Sequence, residues 1–181
     1  MRSPRLAFRS SADTTGDVQR VLSKLEESGR DLPITRLVAN WQTGFRPFIL
    51  MADALLVKGV LPPITREMVV LHIAAVQGLE YEWHEHERMA IGAGVDAEQI
   101  AALSTPELPT GDHFDASQLA ALTLVDQVLR AHQPEPGTWD EVCGLLGQDA
   151  ALELVFAVAW WGGFVPVAVR GLFPLTDAAT S

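Results

Sequence analysis

Hydrophobic residues along this chain recur at intervals of three and four positions, the spacing of helices with one buried face. Val18, Leu22 and Leu25 form the first such stripe, and Gly29 ends it. Further runs of this kind lie at residues 34–41, 47–57, 65–77, 80–93, 117–131 and from 148 onwards. The alternation of apolar and polar residues that is typical of strands is absent. The pattern therefore predicts an all-α fold.

The length of 181 residues is that of one domain of ordinary size, which can bury a full hydrophobic core. The first sixteen residues are rich in Ser, Thr and Arg and lack helical periodicity. We therefore predict a flexible N-terminal tail at residues 1–16 and a single-domain helical bundle at residues 17–175.

The predicted helix at residues 80–93 combines acids, histidines and large aromatic residues. At about 100° per residue, Glu82 and His86 fall one turn apart on its apolar face, next to Trp83. His84 falls on the opposite, charged face. A carboxylate and an imidazole held together away from water have shifted pKa values and suit proton transfer. The alternative interpretation is a buried pair whose two members only satisfy each other.

Glu67 is the second acidic residue of interest. The pattern predicts a helix that is capped by Thr65, which places Glu67 in its first turn. There the helix dipole favours a carboxylate. The residue is either a charge at the helix N-terminus or a buried acid that faces the next helix, and the spacing is compatible with both.

Composition and charge exclude several classes of function. The net charge of −10, without a cluster of Lys or Arg, argues against binding to nucleic acid and to anionic membranes. The single cysteine, Cys143, excludes an internal disulfide, a CxxC redox pair and a zinc-finger framework. The first residues contain arginines and no apolar segment of the secretory type, so we expect a cytoplasmic protein.

One apolar stretch, residues 150–169, is long enough to span a membrane. It contains Glu153, the Gly162-Gly163 pair and Pro166, which are unfavourable in a single isolated span. We therefore predict that this stretch is the central helix of a helical core and that the protein has no membrane partner.

Two histidines close together, His84 and His86, invite a metal interpretation. On a helix, positions i and i+2 point in nearly opposite directions, so the pair is not expected to share a metal ion. No HExxH helix is present. We predict no metal site, and we expect His72 to be a hydrogen-bonded core histidine and Cys143 a packing residue.

The chain also resembles a known family. The resemblance is carried by three segments, which read Leu-Pro-Pro-Ile-Thr-Arg-Glu-Met-Val-Val-Leu at 61–71, Tyr-Glu-Trp-x-x-His at 81–86 and Ala-x-x-Ala-Gly-Val at 90–95. They are similar to the carboxymuconolactone decarboxylase family, which includes the alkylhydroperoxidase D proteins, over roughly residues 32–172. The resemblance implies the helical bundle of the alkylhydroperoxidase D-like type and a homo-oligomer, a trimer or hexamer.

In the peroxidase branch of that family, a glutamate, a CxxC pair and a histidine form a proton relay. The resemblance matches the glutamate to Glu67 and the histidine to His86, whereas Leu79 and Glu82 stand at the two cysteine positions. Thiol-dependent peroxide reduction needs a thiolate and a resolving partner. We therefore expect the chain to lack that activity, since Cys143 lies far outside the motif.

The remaining acid and base groups are similar to those of the decarboxylase side of the family. The resemblance implies a cofactor-independent acid/base enzyme that decarboxylates or otherwise transforms a small lactone or carbonyl compound. In this interpretation His86 is the proton donor, Glu82 its orienting partner and Glu67 the second carboxylate.

We expect Leu79 and Trp83 to line the substrate pocket, and Arg66 to bind a substrate carboxylate, with Arg46 as an alternative for that role. Two other functions stay open at this point. One is a non-catalytic protein that binds a small ligand on the same scaffold, and the other is a redox protein that uses Cys143.

Overall fold

The computed structural model describes residues 6–172, and every regular element within that range is helical. This confirms the predicted all-α class. Contacts divide the described chain into two compact units, one formed by residues 6–58 with 167–172 and the other by Gly59–Pro166.

The first unit contains three helices. They are α1 (Gly16–Glu27), α2 (Pro33–Val38) and α3 (Phe45–Asp53), and α3 continues as a π-helical turn, Ala54–Lys58. A short 3₁₀ turn, Ser11–Asp13, precedes them, and the backbone N–H and the hydroxyl of Ser11 both donate hydrogen bonds to Glu26 on α1. Part of the segment predicted to be a flexible tail is therefore bonded to the first helix.

The second unit contains the remaining helices. They are α4 (Pro63–Gln77), α5 (Glu80–Ala93), α6 (Ala97–Leu103), α7 (Ala116–Ala131), α8 (Thr138–Leu146) and α9 (Gln148–Ala157). The helix that begins as α9 continues through a π-helical segment, Val158–Phe164, an α-helical turn, Val165–Val167, and a second π-helical segment, Ala168–Leu172, and its residues 167–172 are counted with the first unit. The core of this unit lies around α4, which packs against α5, α7 and α9.

The start of α4 differs from the prediction. Pro63 is the first helical residue and Pro62 is the cap, so Thr65 already lies inside the helix. Proline is well suited to the first helical position because its missing N–H would have no intrahelical partner there. Glu67 is therefore the fifth residue of α4, beyond the first turn, and the interpretation as a charge at the helix N-terminus is wrong.

One helix of the described residues, Gln148–Leu172, is long and apolar enough to cross a membrane by length and composition. A core helix of a soluble protein passes the same test. The helix has a buried side that contains Leu154 and Trp161. Its one acid beyond the first turn, Glu153, accepts hydrogen bonds of 2.7 and 2.8 Å from the backbone N–H groups of Val60 and Leu61, just before α4.

Candidate active site

A helical hairpin brings the predicted acid and base groups together. Gly78 ends α4 in the left-handed conformation, with φ of 61°, which glycine adopts without steric cost, and α5 begins two residues later. The two helices pack along their length, so that Nδ1 of His86 on α5 lies 2.8 Å from Oε2 of Glu67 on α4. Glu67 is fully buried. It is thus the buried acid that faces the next helix.

Arg66 binds the other carboxylate oxygen of Glu67. Its Nε and Nη2 atoms each lie 2.9 Å from Oε1 of Glu67. Burial by itself raises the pKa of Glu67, but the hydrogen bond and charge of His86, together with the same two contributions from Arg66, outweigh it and lower the pKa. Glu67 is therefore held as a carboxylate, and both of its oxygens are bound.

Glu82 lies on the other side of the imidazole. Its Oε2 atom is 3.6 Å from Nε2 of His86, which is longer than a hydrogen bond. Burial raises the pKa of Glu82, and the nearby charge of Glu85 adds to this, while His86 acts in the opposite direction. The environments of Glu67 and Glu82 thus shift the pKa values of two carboxyl groups in opposite directions across one imidazole. Pairs of this kind are typical of acid/base sites.

This geometry changes the roles that were expected from the sequence. Glu82 is one turn from His86 on the same helix and was predicted to orient it, but the imidazole donates its hydrogen bond from Nδ1–H to Glu67 on α4. Because Glu67 is an ionised acceptor, Nδ1 of a neutral His86 carries the proton, and Nε2 presents its lone pair towards Glu82. Glu67 thus holds Nδ1 of the imidazole, and Glu82 faces Nε2.

Trp161, on the long helix Gln148–Leu172, packs against His86. Its ring and that of His86 have centroids 5.7 Å apart and planes at 88°, an edge-to-face arrangement. Trp161 was not predicted to belong to the site, because a large aromatic residue on an apolar helix is usually part of the core. Its spacing from Leu154, seven positions earlier, does place it on the buried face of the helix.

Leu79 and Trp83 do not lie with the three acid/base residues. They line a cavity of about 430 Å³ whose other lining residues are Ala74, Ala75, Gly78, Glu80, His84 and Ser104. None of Glu67, Glu82 and His86 lines it. The structure therefore brings together the proposed proton-transfer groups, and it places two of the predicted substrate contacts at a different cavity.

A second buried histidine, His72, lies on α4. Nε2 of His72 lies 3.0 Å from Asp126 on α7, and Asp126 also accepts from Arg130. This confirms His72 as a hydrogen-bonded core histidine. Burial lowers the pKa of His72, although Asp126 acts in the opposite direction, so the residue is held neutral.

Within residues 6–172, no group of three or more His, Cys, Asp or Glu side chains is placed to hold a metal ion. His84 is exposed, as the helical spacing predicted. Cys143 is half-buried on α8 and far along the chain from the acid/base residues.

Part of the chain matches a known protein family. The model of the carboxymuconolactone decarboxylase family matches residues 44–127, a segment that runs from the start of α3 to α7 and contains Glu67, Glu82 and His86. Trp161 lies outside the matched segment. No individual curated protein matches the chain.

Proposed function

We propose that the protein is a cofactor-independent acid/base enzyme, because the model of the carboxymuconolactone decarboxylase family matches residues 44–127 of the chain. Its substrate is a small lactone or carbonyl compound, which it decarboxylates or otherwise transforms by moving protons. The observation that carries this proposal is the arrangement of Glu67, His86 and Glu82, in which one imidazole lies between two carboxyl groups of opposite pKa shift.

The proposed chemistry starts from the two ends of the imidazole. Glu67 accepts a hydrogen bond from Nδ1–H of His86 and thereby stabilises the imidazolium that forms when Nε2 is protonated. Glu67 is fully buried, whereas Glu82 and His86 are each 7% exposed. His86 and Glu82 are therefore the groups that a substrate can reach, and Glu67 acts through His86.

For a lactone acid, the reaction balances without a cofactor. The bond between the carboxylate carbon and the ring breaks, its electron pair moves into the conjugated carbonyl group, and CO₂ leaves. His86, which takes up a proton from solvent at Nε2 before the reaction, then donates that proton to the ring carbon, and a second proton from solvent restores the imidazolium. A buried site favours the loss of CO₂, because the exclusion of water destabilises the localised charge of a carboxylate more than the delocalised charge of the enolate.

Arg66 has a limited part in this scheme. Its Nε and Nη2 atoms bind Glu67, so a substrate carboxylate would have to use Nη1. We propose that Arg66 mainly keeps Glu67 ionised, and that it contacts the substrate at Nη1 if the substrate is an acid.

The test is turnover of matched substrates. We expect the protein to release CO₂ from an unsaturated γ-lactone that carries a carboxylate, or to exchange the α-hydrogen of the corresponding carboxylate-free lactone with D₂O. Either activity must disappear in His86→Gln purified in the same way. The absence of both reactions in a folded wild-type protein would contradict the proposal.

The cavity lined by Leu79 and Trp83 favours one alternative, a protein that binds a small ligand without transforming it. This cavity is lined by the aromatic ring of Trp83 and by apolar residues such as Leu79 and Ala74, and none of the three acid/base residues lines it. Saturable binding of the same lactones that is lost in Trp83→Ala, without turnover by the wild-type protein, would support that alternative.

We predict that the protein has no thiol peroxidase activity. Leu79 and Glu82 stand at the positions of the two cysteines, and Cys143 has no second cysteine to resolve an oxidised sulfur. Peroxide consumption driven by a dithiol reductant should equal that of a Cys143→Ser control. Robust turnover that is abolished by Cys143→Ser would show a redox function instead.

We also propose that the chain forms a homo-oligomer, a trimer or a hexamer. Leu50 and Met51 on α3 are exposed in one unit, and Leu152, Val155 and Phe156 on α9 are exposed in the other. Exposed apolar side chains in such groups are typical of subunit contacts. Sedimentation equilibrium should give three or six times the chain mass of 19.7 kDa, and a stable monomer at micromolar concentration would exclude it.

A further inference from the structure

Trp161 has a contact that ordinary core packing does not require. It is only 3% exposed, and its ring meets that of His86 at 88° with a centroid distance of 5.7 Å. That distance lies within the range of about 4.5–7 Å that is typical of edge-to-face pairs. The residue reaches the site from outside residues 44–127, so the family match assigns it no role.

The backbone around Trp161 is also unusual. It lies in the π-helical segment Val158–Phe164, and such segments are rare and occur frequently at functional sites. The same helix is bound to the chain just before α4 through Glu153. The helix that presents Trp161 is therefore tied to the beginning of α4, the helix that carries Glu67.

The imidazole of His86 has three neighbours that together define its orientation. Glu67 binds Nδ1 at 2.8 Å, Glu82 faces Nε2 at 3.6 Å and the Trp161 ring stands perpendicular to the imidazole plane. A single hydrogen bond to Nδ1 leaves the ring able to swing about that bond. The perpendicular indole removes this freedom because it contacts the ring directly.

We propose that Trp161 is a positioning residue, which holds the imidazole plane of His86 so that Nδ1–H stays on Glu67 and Nε2 stays directed towards Glu82. The competing explanation is that Trp161 only fills volume. The two explanations predict different effects when Trp161 is replaced by a side chain of another shape. A volume-filling residue affects the free energy of unfolding. A positioning residue also affects the lifetime of the hydrogen bond from Nδ1–H of His86 to Glu67 in the folded protein.

The experiment is NMR spectroscopy of the full chain with ¹⁵N-labelled histidine. The chain has five histidines, and the His86 signals are assigned by their loss in His86→Gln. Exchange of the Nδ1 proton with solvent is measured in the wild type, Trp161→Phe and Trp161→Leu. The matched control is Trp160→Leu. It removes an indole from the same π-helical segment, and this indole packs against the ring of Phe164.

We expect exchange to be slowest in the wild type, faster in Trp161→Phe and fastest in Trp161→Leu. The increase should be about two- to tenfold, the range that one edge-to-face contact supports. Trp160→Leu should exchange like the wild type. Equal exchange in the wild type and Trp161→Phe would overturn the proposal even if Trp161→Leu fails to fold, and so would an equal increase in Trp160→Leu.

This role concerns the site of the proposed function, but its test needs no substrate. Slower Nδ1 exchange that depends on Trp161, in a protein that transforms no lactone, would retain the positioning role and reject the enzyme. Turnover of a lactone, together with Nδ1 exchange that does not depend on Trp161, would retain the enzyme and reject the positioning role.

Discussion

His86→Ala is expected to reduce turnover by about 10²–10⁴-fold, the usual contribution of a positioned proton-transfer group. The reason is that His86 lies between the two carboxyl groups, with Nδ1 bound to Glu67 and Nε2 directed towards Glu82. Glu82→Gln should give a loss in the same range, because an amide neither gives up nor takes a proton at neutral pH. Steady-state kinetics of CO₂ release or of deuterium exchange measure both effects.

Two other histidines make this result specific. His113 is exposed in a loop, where it pairs with Glu98, and His113→Ala should leave turnover unchanged. His84 lies on the same helix as His86 but borders the separate cavity of Leu79 and Trp83. His84→Ala should be nearly silent if the chemistry occurs at His86. Equal losses for His84→Ala and His86→Ala would place the reaction at that cavity and contradict the proposed site.

Glu67→Gln and Glu82→Gln should change the stability of the fold in opposite directions at pH 7. Glu67→Gln leaves Arg66 and His86 without their shared carboxylate, and we expect a loss of about 3 kcal/mol, the lower end for breaking a buried ion pair. Glu82→Gln removes a buried carboxyl group that loses favourable interactions when it ionises, so it should make the protein more resistant to urea.

The dependence on pH separates these effects from a general loss of packing. The pKa of Glu67 is lowered by folding, so its stabilising contribution is present above its ordinary value of 4.5 and is lost as the pH falls through the lower, folded value. The pKa of Glu82 is raised, so its contribution is present below 4.5 and is lost as the pH rises through the higher, folded value. Both variants should therefore approach the wild type on acidification.

Urea denaturation at pH 7 and at stepwise lower pH values measures these differences. Glu107→Gln, which changes an exposed carboxylate in a loop, should stay within about 0.5 kcal/mol of the wild type throughout. The two site titrations are coupled through His86, so the double variant should differ from the sum of the single ones. A Glu82→Gln protein that is less stable than the wild type at pH 7 would contradict the pKa direction of this carboxyl group.

Several features of the fold could be predicted from local sequence alone. Asp96 followed three positions later by Gln99 is the sequence pattern of a capping box, and this capping box is present at the start of α6. The exposed position of His84 and the buried positions of Glu82 and His86 follow from the helical period. The start of α4 was missed because Thr65 is a good cap by residue type, whereas Pro63 decides the first helical position.

The sequence by itself determined the helical class and the side of α5 on which Glu82 and His86 lie, because these depend on residues within one or two turns. Only the tertiary structure decided that Glu67 binds Nδ1 of His86, that Arg66 binds Glu67 from the same helix, and that Trp161 stands against the imidazole. It also placed Leu79 and Trp83 at another cavity. A helical period determines which face of a helix is buried, but the rotation and offset of two packed helices determine which residues on those faces meet.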